Sequence, residues 1–256
     1  MATANEIIKK LLDEAQKVYN NKCAEPIEQL TFTKKDEIDK QLRDINHKPY
    51  LFVLACVMDR QVKAELAWSI PYKVCEQFNA DTFEKIKAIP KEEIVRFFKE
   101  KNMHRFDETM GQNFYDAVQR IATHYNGDAS LIWANMPSSA TVVYRFLCFK
   151  GVGIKIATMA ANLLTRCYKV KFSDMSAIDI SPDVQVCRIL YRLGLTESEN
   201  PTAAIYKAKE INPSFPGLID SVCWEYGRKF CHPRQPECQN CPFNEVCNYA
   251  ANKTWT

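Results

Sequence analysis

The chain has 256 residues, of which 34 are lysine or arginine and 31 are aspartate or glutamate, so its net charge is +3. This length is sufficient for one large domain or two small ones with a substantial core. The weakly basic balance permits a nucleic acid partner without requiring one, and the absence of a long apolar stretch argues against a transmembrane protein.

The first predicted element is an amphipathic, charged helix in residues 1–16. A secretory signal would instead have a basic stub followed by an apolar run. We therefore expect the protein in a reducing compartment, either the cytoplasm or, in a eukaryotic cell, the nucleus. Nearly every later periodic stretch has helical spacing, and only seven residues are glycine. The sequence thus predicts an all-α protein.

A pair of helices joined by a turn with two glycines is predicted next. Residues 140–147 are apolar on one face, and residues 156–164 are small or apolar. Gly151 and Gly153 flank Val152 in the turn, where glycine permits unusual backbone angles and close approach of a ligand. Free N–H groups there, together with the dipole of the second helix, would suit an anion such as a DNA phosphate. A plain helical hairpin without a ligand is the alternative.

Two charged residues follow this turn at the starts of helices. Lys155 lies in the first turn of the second helix, where the positive dipole end lowers the cost of a neutral, nucleophilic amine. Another helix is predicted within residues 178–190, with Pro182 in its first turn. Asp183 lies at or next to the N-cap of that helix, and Gly194 marks its end. A phosphate-contacting lysine and a simple capping aspartate are the alternatives.

Four of the eleven cysteines have the compact order C-x6-C-x2-C-x5-C, namely Cys231, Cys238, Cys241 and Cys247. Four thiolates from one short loop can enclose a [4Fe-4S] cluster, which is typically held by four cysteines. Structural zinc sites more often have two separated ligand pairs. We predict the iron-sulfur cluster, with zinc and a loop without metal as alternatives. The other seven cysteines are predicted to be small core residues.

Together, the hairpin with Lys155, the helix opened by Asp183 and the four-cysteine loop resemble the helix-hairpin-helix DNA glycosylases of the endonuclease III type. The apolar residues 50–58, followed by Gln61, are similar to that family's first core helix and its Gln-bearing turn. Residues 114–128 are similar to the helix that precedes the hairpin. The resemblance covers most of the chain.

This resemblance implies two helical lobes with DNA bound in the cleft between them. Residues 49–170 would form the helical barrel that carries the hairpin. Residues 1–48 would combine with residues 171–256 to form the lobe with the iron-sulfur cluster. Lys155 and Asp183 would then face each other across the cleft.

The implied function is base-excision repair by a bifunctional DNA glycosylase with AP lyase activity. Lys155 would attack the sugar and form a Schiff base, while Asp183 would stabilise positive charge on the sugar and help to move protons. Gln61 would fill the gap left by the extruded base. Gly151, Val152 and Gly153 would contact the DNA backbone. The expected partner is double-stranded DNA with a damaged base or an abasic site, bound by a monomer.

The chain departs from the family pattern at several positions. Lys150 replaces the usual proline before the turn, and Asp59 and Arg60 replace small residues before the glutamine. Lys155 and Asp183 are 28 positions apart (183 − 155), which is longer than in typical relatives. The expected catalytic acid is Asp183, because the sequence after it best matches the family helix, and the rivals are the earlier acids, Asp174 and Asp179.

Other functions fit parts of the pattern. The damaged base is expected to be an oxidised pyrimidine, with 8-oxoguanine as the next candidate. A noncatalytic DNA-binding iron-sulfur protein, a monofunctional glycosylase and an iron-sulfur redox protein are the alternatives. Lys155 favours the bifunctional enzyme over the monofunctional one, because a lysine at this position can form the covalent intermediate.

Overall fold

The structure is a computed structural model that describes residues 2–252. Regular structure in this range consists of thirteen α-helices and four short 3₁₀ helices, and these residues contain no β-strand. The helices form two compact units. We call residues 25–137 with 141–172 the hairpin unit, and residues 2–24 with 138–140 and 173–252 the cysteine unit. The all-α prediction is confirmed.

Eight helices lie wholly or mainly in the hairpin unit. They are α2 (Asp36–Arg43), α3 (Pro49–Met58), α4 (Ala64–Gln77), α5 (Phe83–Lys87), α6 (Lys91–Lys101), α7 (Asp107–His124), α8 (Ser139–Leu147) and α9 (Ile154–Arg166). All ten residues of α3 are buried, which is expected of a helix that is apolar on every side. It packs against α4, α7 and α9 and therefore forms the centre of this core. The core thereby joins α3 to α9, the second helix of the hairpin.

Aromatic side chains fill much of the core around α3. Phe52 is fully buried and makes edge-to-face contacts with Trp68, Trp133 and Phe146. Such pairs add about 0.5–1.5 kcal/mol each beyond the area that they bury. The hairpin unit thus has a large preformed core that does not depend on a bound group.

Residues 25–48 belong to the hairpin unit in this division, whereas the sequence analysis grouped residues 1–48 with the cysteines. The reason is packing, because α2 lies against α3 and α4. In addition, the Tyr168 hydroxyl donates to the Leu42 carbonyl at 2.8 Å. From the N-terminal segment, residues 2–24 lie in the cysteine unit.

The cysteine unit contains α1 (Ala4–Ala24), α10 (Val184–Leu193), α11 (Pro201–Ile211), α12 (Asp220–Lys229) and α13 (Asn248–Ala251). A reciprocal cap starts α1, because Thr3 and Glu6 each accept the other's backbone N–H. The apolar face of α1 buries Ile7, Leu11 and Ala15 in a core shared with α12. None of the described helices is long and apolar enough to cross a membrane.

Candidate active site and metal centre

The two glycines of the hairpin turn have different structural roles. Gly151 has φ +86°, and a Cβ at this position would lie 2.5 Å from Nδ2 of buried Asn113. Gly153 has φ −102°, and a Cβ there would meet no atom within 4 Å. Glycine is therefore required at position 151 by backbone angle and packing. At position 153 the protein does not require it, and open space lies in front of the turn.

Lys155 lies in the first turn of α9, as predicted. The N-cap of this helix is Gly153, so no capping side chain satisfies the first backbone N–H groups. Those groups have no acceptor within the helix, and they carry the positive end of its dipole. Lys155 is exposed, and the neighbouring Ile154 is 44% exposed. The start of α9 therefore combines an accessible amine with unsatisfied N–H donors suited to a phosphate.

Asp59 follows the last residue of α3 and interacts with the start of α9. Its half-buried carboxylate accepts a hydrogen bond from the indole of Trp68 and interacts electrostatically with Lys155. Burial raises the pKa of Asp59 above its usual value, and Lys155 and Trp68 oppose this rise. The described residues provide no direct ion pair between Asp59 and Lys155. Lys155 thus interacts electrostatically with the Asp59 carboxylate but is not held by it in a direct ion pair.

A buried histidine holds the end of α3. Nε2 of His104 lies 3.1 Å from the Met58 carbonyl oxygen, and the Phe106 N–H donates to Nδ1 at 3.1 Å. These two bonds require the neutral tautomer with its proton on Nε2. Burial accordingly lowers the pKa of His104. Through this side chain, the segment before α7 is tied to the turn that follows α3.

An exposed aromatic residue lies in the same region. Phe106 is 37% exposed, and the guanidinium groups of Arg60 and Arg105 lie 6.0 and 5.5 Å from its ring centre. Arg60 is also near the hairpin turn, with Nη1 4.0 Å from where a Cβ on Gly151 would lie. The sequence analysis missed this group. Its only sequence signal was a phenylalanine directly after two basic residues, His104 and Arg105.

Gln61 lies in the turn between α3 and α4, as the resemblance implied. It is exposed and has φ +55°, in the left-handed region that non-glycine residues seldom occupy. Strained backbone of this kind is concentrated at functional positions. The conformation identifies Gln61 as an unusual surface residue without assigning its role.

In the cysteine unit, Asp183 is the N-cap of α10. Its Oδ1 accepts the N–H groups of Gln185 at 2.9 Å and Val186 at 3.0 Å. The helix begins at Val184, so the prediction of Pro182 in its first turn was wrong and this proline precedes the cap. Gly194 ends the helix in the left-handed conformation, as predicted. Among the described residues, no donor contacts Oδ2 of Asp183, so one carboxylate oxygen remains for another partner.

The two rival aspartates are engaged in different ways. Asp174 accepts hydrogen bonds from the hydroxyls of Ser139 and Ser176 at 2.6 and 2.8 Å, and these bonds hold its pKa below the usual value. Asp179 is 7% exposed and forms an ion pair with Lys209 at 3.2 Å. Burial raises its pKa in spite of this lysine. Both carboxylates thus have local structural partners.

The four predicted cysteine ligands line one cavity in the cysteine unit. Burial raises the pKa of the Cys241 thiol to about 11 and also raises the pKa of Cys247. The neighbouring thiols add to both shifts, which is consistent with four sulfur atoms close to one another. Thiols in this setting become thiolates at neutral pH when a cation compensates their charge.

The four cysteines suit an iron-sulfur cluster in number and in the softness of their sulfur donors. The part of the chain that is described contains no group of three His, Cys, Asp or Glu side chains placed to share one metal ion. A four-iron cluster is typically held by four cysteine thiolates. Four soft sulfur donors around one cavity match that requirement in number and in chemistry.

Two arginines of α10 hold the cysteine loop. Arg188 is 5% exposed and donates to the carbonyls of Cys231 at 2.7 Å and Gly227 at 3.2 Å. Arg192 donates to the Cys231 sulfur at 3.2 Å and to the His232 carbonyl at 2.8 Å. The helix that Asp183 caps is therefore also the helix that supports the loop.

Comparison with known proteins gives a consistent result. No known family profile matches the chain. The chain is 24% identical over 208 residues to endonuclease III of Thermotoga maritima, a match that spans 80% of this chain and 86% of that protein. It is 23% identical over 174 residues to endonuclease III of Rickettsia conorii, across 67% and 71% of the two chains.

Solved structures with the same fold include a trapped covalent intermediate of endonuclease III with DNA. The TM-score is 0.61 at 18% identity, and the match covers 98% of each chain. The chain is endonuclease III-like in sequence and in fold. A thermostable thymine-DNA glycosylase gives a TM-score of 0.64 at 17% identity, across 98% of this chain and 100% of that one. The resemblance inferred from the sequence motifs is confirmed.

In this endonuclease III-like protein, the predicted site residues fall into two groups. Gly151, Val152, Gly153, Lys155 and Gln61 lie in the hairpin unit, whereas Asp183 and the four cysteines lie in the cysteine unit. Gly151, Val152 and Gly153 share the hairpin turn, and Lys155 follows in the first turn of α9. Gln61 lies in the turn after α3, and the cysteines share one cavity. Their functional roles remain predictions.

Proposed function

We propose that this endonuclease III-like protein is a base-excision-repair DNA glycosylase with AP lyase activity. The observation that supports this most strongly is the exposed Lys155 in the first turn of α9, directly after the left-handed turn at Gly151. A catalytic nucleophile must be accessible to the substrate and must lie near N–H donors that can bind DNA phosphates, and Lys155 meets both requirements.

The DNA backbone would bind in front of the hairpin turn. A phosphate oxygen would accept N–H bonds from the start of α9 and from residues 151–153, where Gly153 leaves open space. Gln61 would enter the duplex where the damaged nucleotide leaves it. Such contacts hold the duplex without reading its sequence, as a repair enzyme requires.

The reaction would proceed through a covalent intermediate. The amine of Lys155 forms a bond to C1′ as the N-glycosidic bond breaks, and the departing base keeps the electron pair and takes up a proton. Ring opening then gives a Schiff base, and loss of a C2′ proton expels the 3′ phosphate by β-elimination. The Asp183 carboxylate would stabilise the positive charge that develops on the sugar.

Cys231, Cys238, Cys241 and Cys247 would hold a [4Fe-4S] cluster. When bound, this group would supply a rigid centre that fixes the loop and offsets part of the charge of the four thiolates. Its proposed role is structural, because excision and elimination require no electron transfer. Arg188 and Arg192 would hold the loop against α10 on the protein side. Zinc is the alternative metal, and iron and sulfide analysis of the purified protein separates the two.

The proposed substrates are oxidised pyrimidines in duplex DNA, with 8-oxoguanine as the next candidate. The protein would act as a monomer. A panel of duplexes with one lesion each, assayed for base release, identifies the preferred base. Strand breaks that appear only after alkali would indicate a monofunctional glycosylase instead.

Borohydride trapping tests the proposal directly. Wild-type protein incubated with abasic duplex and borohydride should give a covalent adduct, and Lys155→Ala should abolish it. Lys150→Ala is the matched control, because Lys150 is an exposed lysine of the same turn that pairs with Asp116 at 3.2 Å. Duplex binding without any adduct in the wild type would instead favour a noncatalytic DNA-binding protein.

A further inference from the structure

Asp59 is a departure from the family pattern that the reaction above leaves unused. It replaces a small residue after the first core helix. Partial burial of a carboxylate there costs free energy unless the carboxylate has hydrogen-bond or charged partners. The end of α3 is fixed by ten buried residues and by the His104 contact to Met58. The position of Asp59 is therefore set by the core.

The charged and polar groups around Asp59 come from α9, from α4, from its own turn and from the segment before α7. Lys155 acts on it from α9, and α9 packs directly on α3. Trp68 of α4 donates its indole N–H to the carboxylate, while its own ring is stacked on Phe32 at 4.2 Å. Arg60 follows in the same turn, and neutral His104 lies next to it. Among these groups, Lys155 is the amine that can become a nucleophile.

We propose that Asp59 is a positioning residue that orients Lys155 and accepts its proton as the amine becomes a nucleophile. This inference rests on the proposed lysine chemistry. The ammonium gives one proton to the Asp59 carboxylate, directly after a rotamer change or through one water. The freed lone pair then forms the C1′–N bond. On abasic DNA, the aldehyde oxygen leaves as water when the Schiff base forms.

The protonation of Asp59 suits this role. Burial raises the pKa of its carboxyl group, so the carboxylate is a stronger base than that of an ordinary aspartate. The trapping rate should therefore rise with pH through the pKa of Asp59, because the carboxylate is the active form. The indole of Trp68 favours that carboxylate, so removal of the indole N–H should move this rise to higher pH.

The experiment measures the rate of borohydride trapping on abasic duplex as a function of pH. Asp59→Asn should lower the trapping rate at neutral pH by about 100-fold, which is the lower end of the range for a positioned proton transfer. It should also abolish the rise of the rate with pH at acidic pH, which we call the acidic limb of the profile. Binding to a reduced abasic analogue should remain within about twofold, because the backbone and shape are kept. Asp59→Glu should restore part of the rate and the limb.

Matched variants separate this role from a structural one. Asp116→Asn removes a carboxylate that pairs with Lys150 in the same unit, and its pH profile should equal that of the wild type. Trp68→Phe keeps an aromatic ring against Phe32 and should shift the limb to higher pH. If Asp59→Asn does not fold, this shift decides the question, and an unshifted limb overturns the inference.

Failure of the inference differs from failure of the proposed function. If wild-type protein traps abasic DNA and Asp59→Asn traps it with the same rate and pH profile, Asp59 has no such role and Lys155 keeps its own. If wild-type protein forms no adduct under any condition, both proposals fall.

Discussion

The hairpin turn and the cysteine loop differ in what gives them their shape. The turn is fixed by the backbone at Gly151, by its contact with Asn113 and by the buried core around α3. The loop around Cys231 has little regular structure and is held by arginine side chains of α10. Its four thiols line one cavity, and burial raises the pKa of two of them, Cys241 and Cys247.

This difference separates a site that folding alone builds from one that a bound group completes. Lys155 is presented by a helix whose start would persist without any ligand. The cysteine loop would instead be completed by the proposed cluster, because neighbouring thiolates require a bound cation to offset their charge. Damage to the metal centre should therefore affect the two units unequally.

The largest effect is expected from Cys238→Ser. Loss of one ligand should remove the cluster, from about four iron atoms per chain to almost none. Hydrogen exchange should then accelerate in residues 230–247 and remain slow in α3. Cys23→Ser, a half-buried cysteine of the same unit outside the cavity, should retain the iron. Equal loosening of α3 would contradict the separation of the two sites.

Substitutions of Asp183 separate capping from chemistry in the cysteine unit. Asp183→Asn keeps an N-cap oxygen and should change the free energy of unfolding by only a few tenths of a kcal/mol, whereas Asp183→Ala should cost about 1 kcal/mol. Base release should fall by about 100-fold in both, because the charge is lost. Chemical denaturation and single-turnover assays measure the two quantities. Normal excision by Asp183→Asn would exclude it as the stabilising charge.

The two hairpin glycines provide the matched test within the other unit. Gly151→Ala should destabilise the protein by about 1–3 kcal/mol, because alanine meets both a left-handed backbone and Asn113. Gly153→Ala should leave the free energy of unfolding within about 0.5 kcal/mol of wild type. Duplex binding should nevertheless weaken in Gly153→Ala, because the new methyl group enters the space proposed for a phosphate. Unchanged duplex binding would exclude this turn as the phosphate-binding site.

The smallest effect concerns the pH dependence of His104. Burial lowers its pKa in the folded protein, so the unfolded chain binds more protons as the pH falls below the ordinary histidine value. The free energy of unfolding should therefore decrease by about 1 kcal/mol on acidification, the scale of one lost hydrogen bond. His104→Gln should lack this component in denaturation curves between neutral and mildly acidic pH. An identical pH dependence would exclude His104 as its source.

Local rules predicted much of the site from the sequence. The glycine turn, the place of Lys155 in the first turn of α9 and the capping position of Asp183 follow from backbone preferences within a few residues. The cysteine spacing likewise identified the residues that line one cavity. Each of these features is encoded by neighbours in the chain.

Features that depend on distant contacts could not be read in this way. The interaction of Asp59 with Lys155 requires α3 to pack on α9, and the ion pair of Asp179 with Lys209 requires the packed cysteine unit. The sequence also gave Gly151 and Gly153 one shared role, although the structure requires glycine only at position 151. Tertiary packing determines these contacts, and the periodicity of apolar residues in the sequence carries no information about them.

The most direct test of the account is to locate the covalent bond to DNA. Wild-type protein is trapped on abasic duplex with borohydride, digested with trypsin and mapped by mass spectrometry. The account predicts a sugar-derived mass on Lys155, within a peptide that continues to Arg166 because trypsin no longer cleaves at the modified lysine. A modification spread over surface lysines such as Lys150, or confined to another residue, would contradict it.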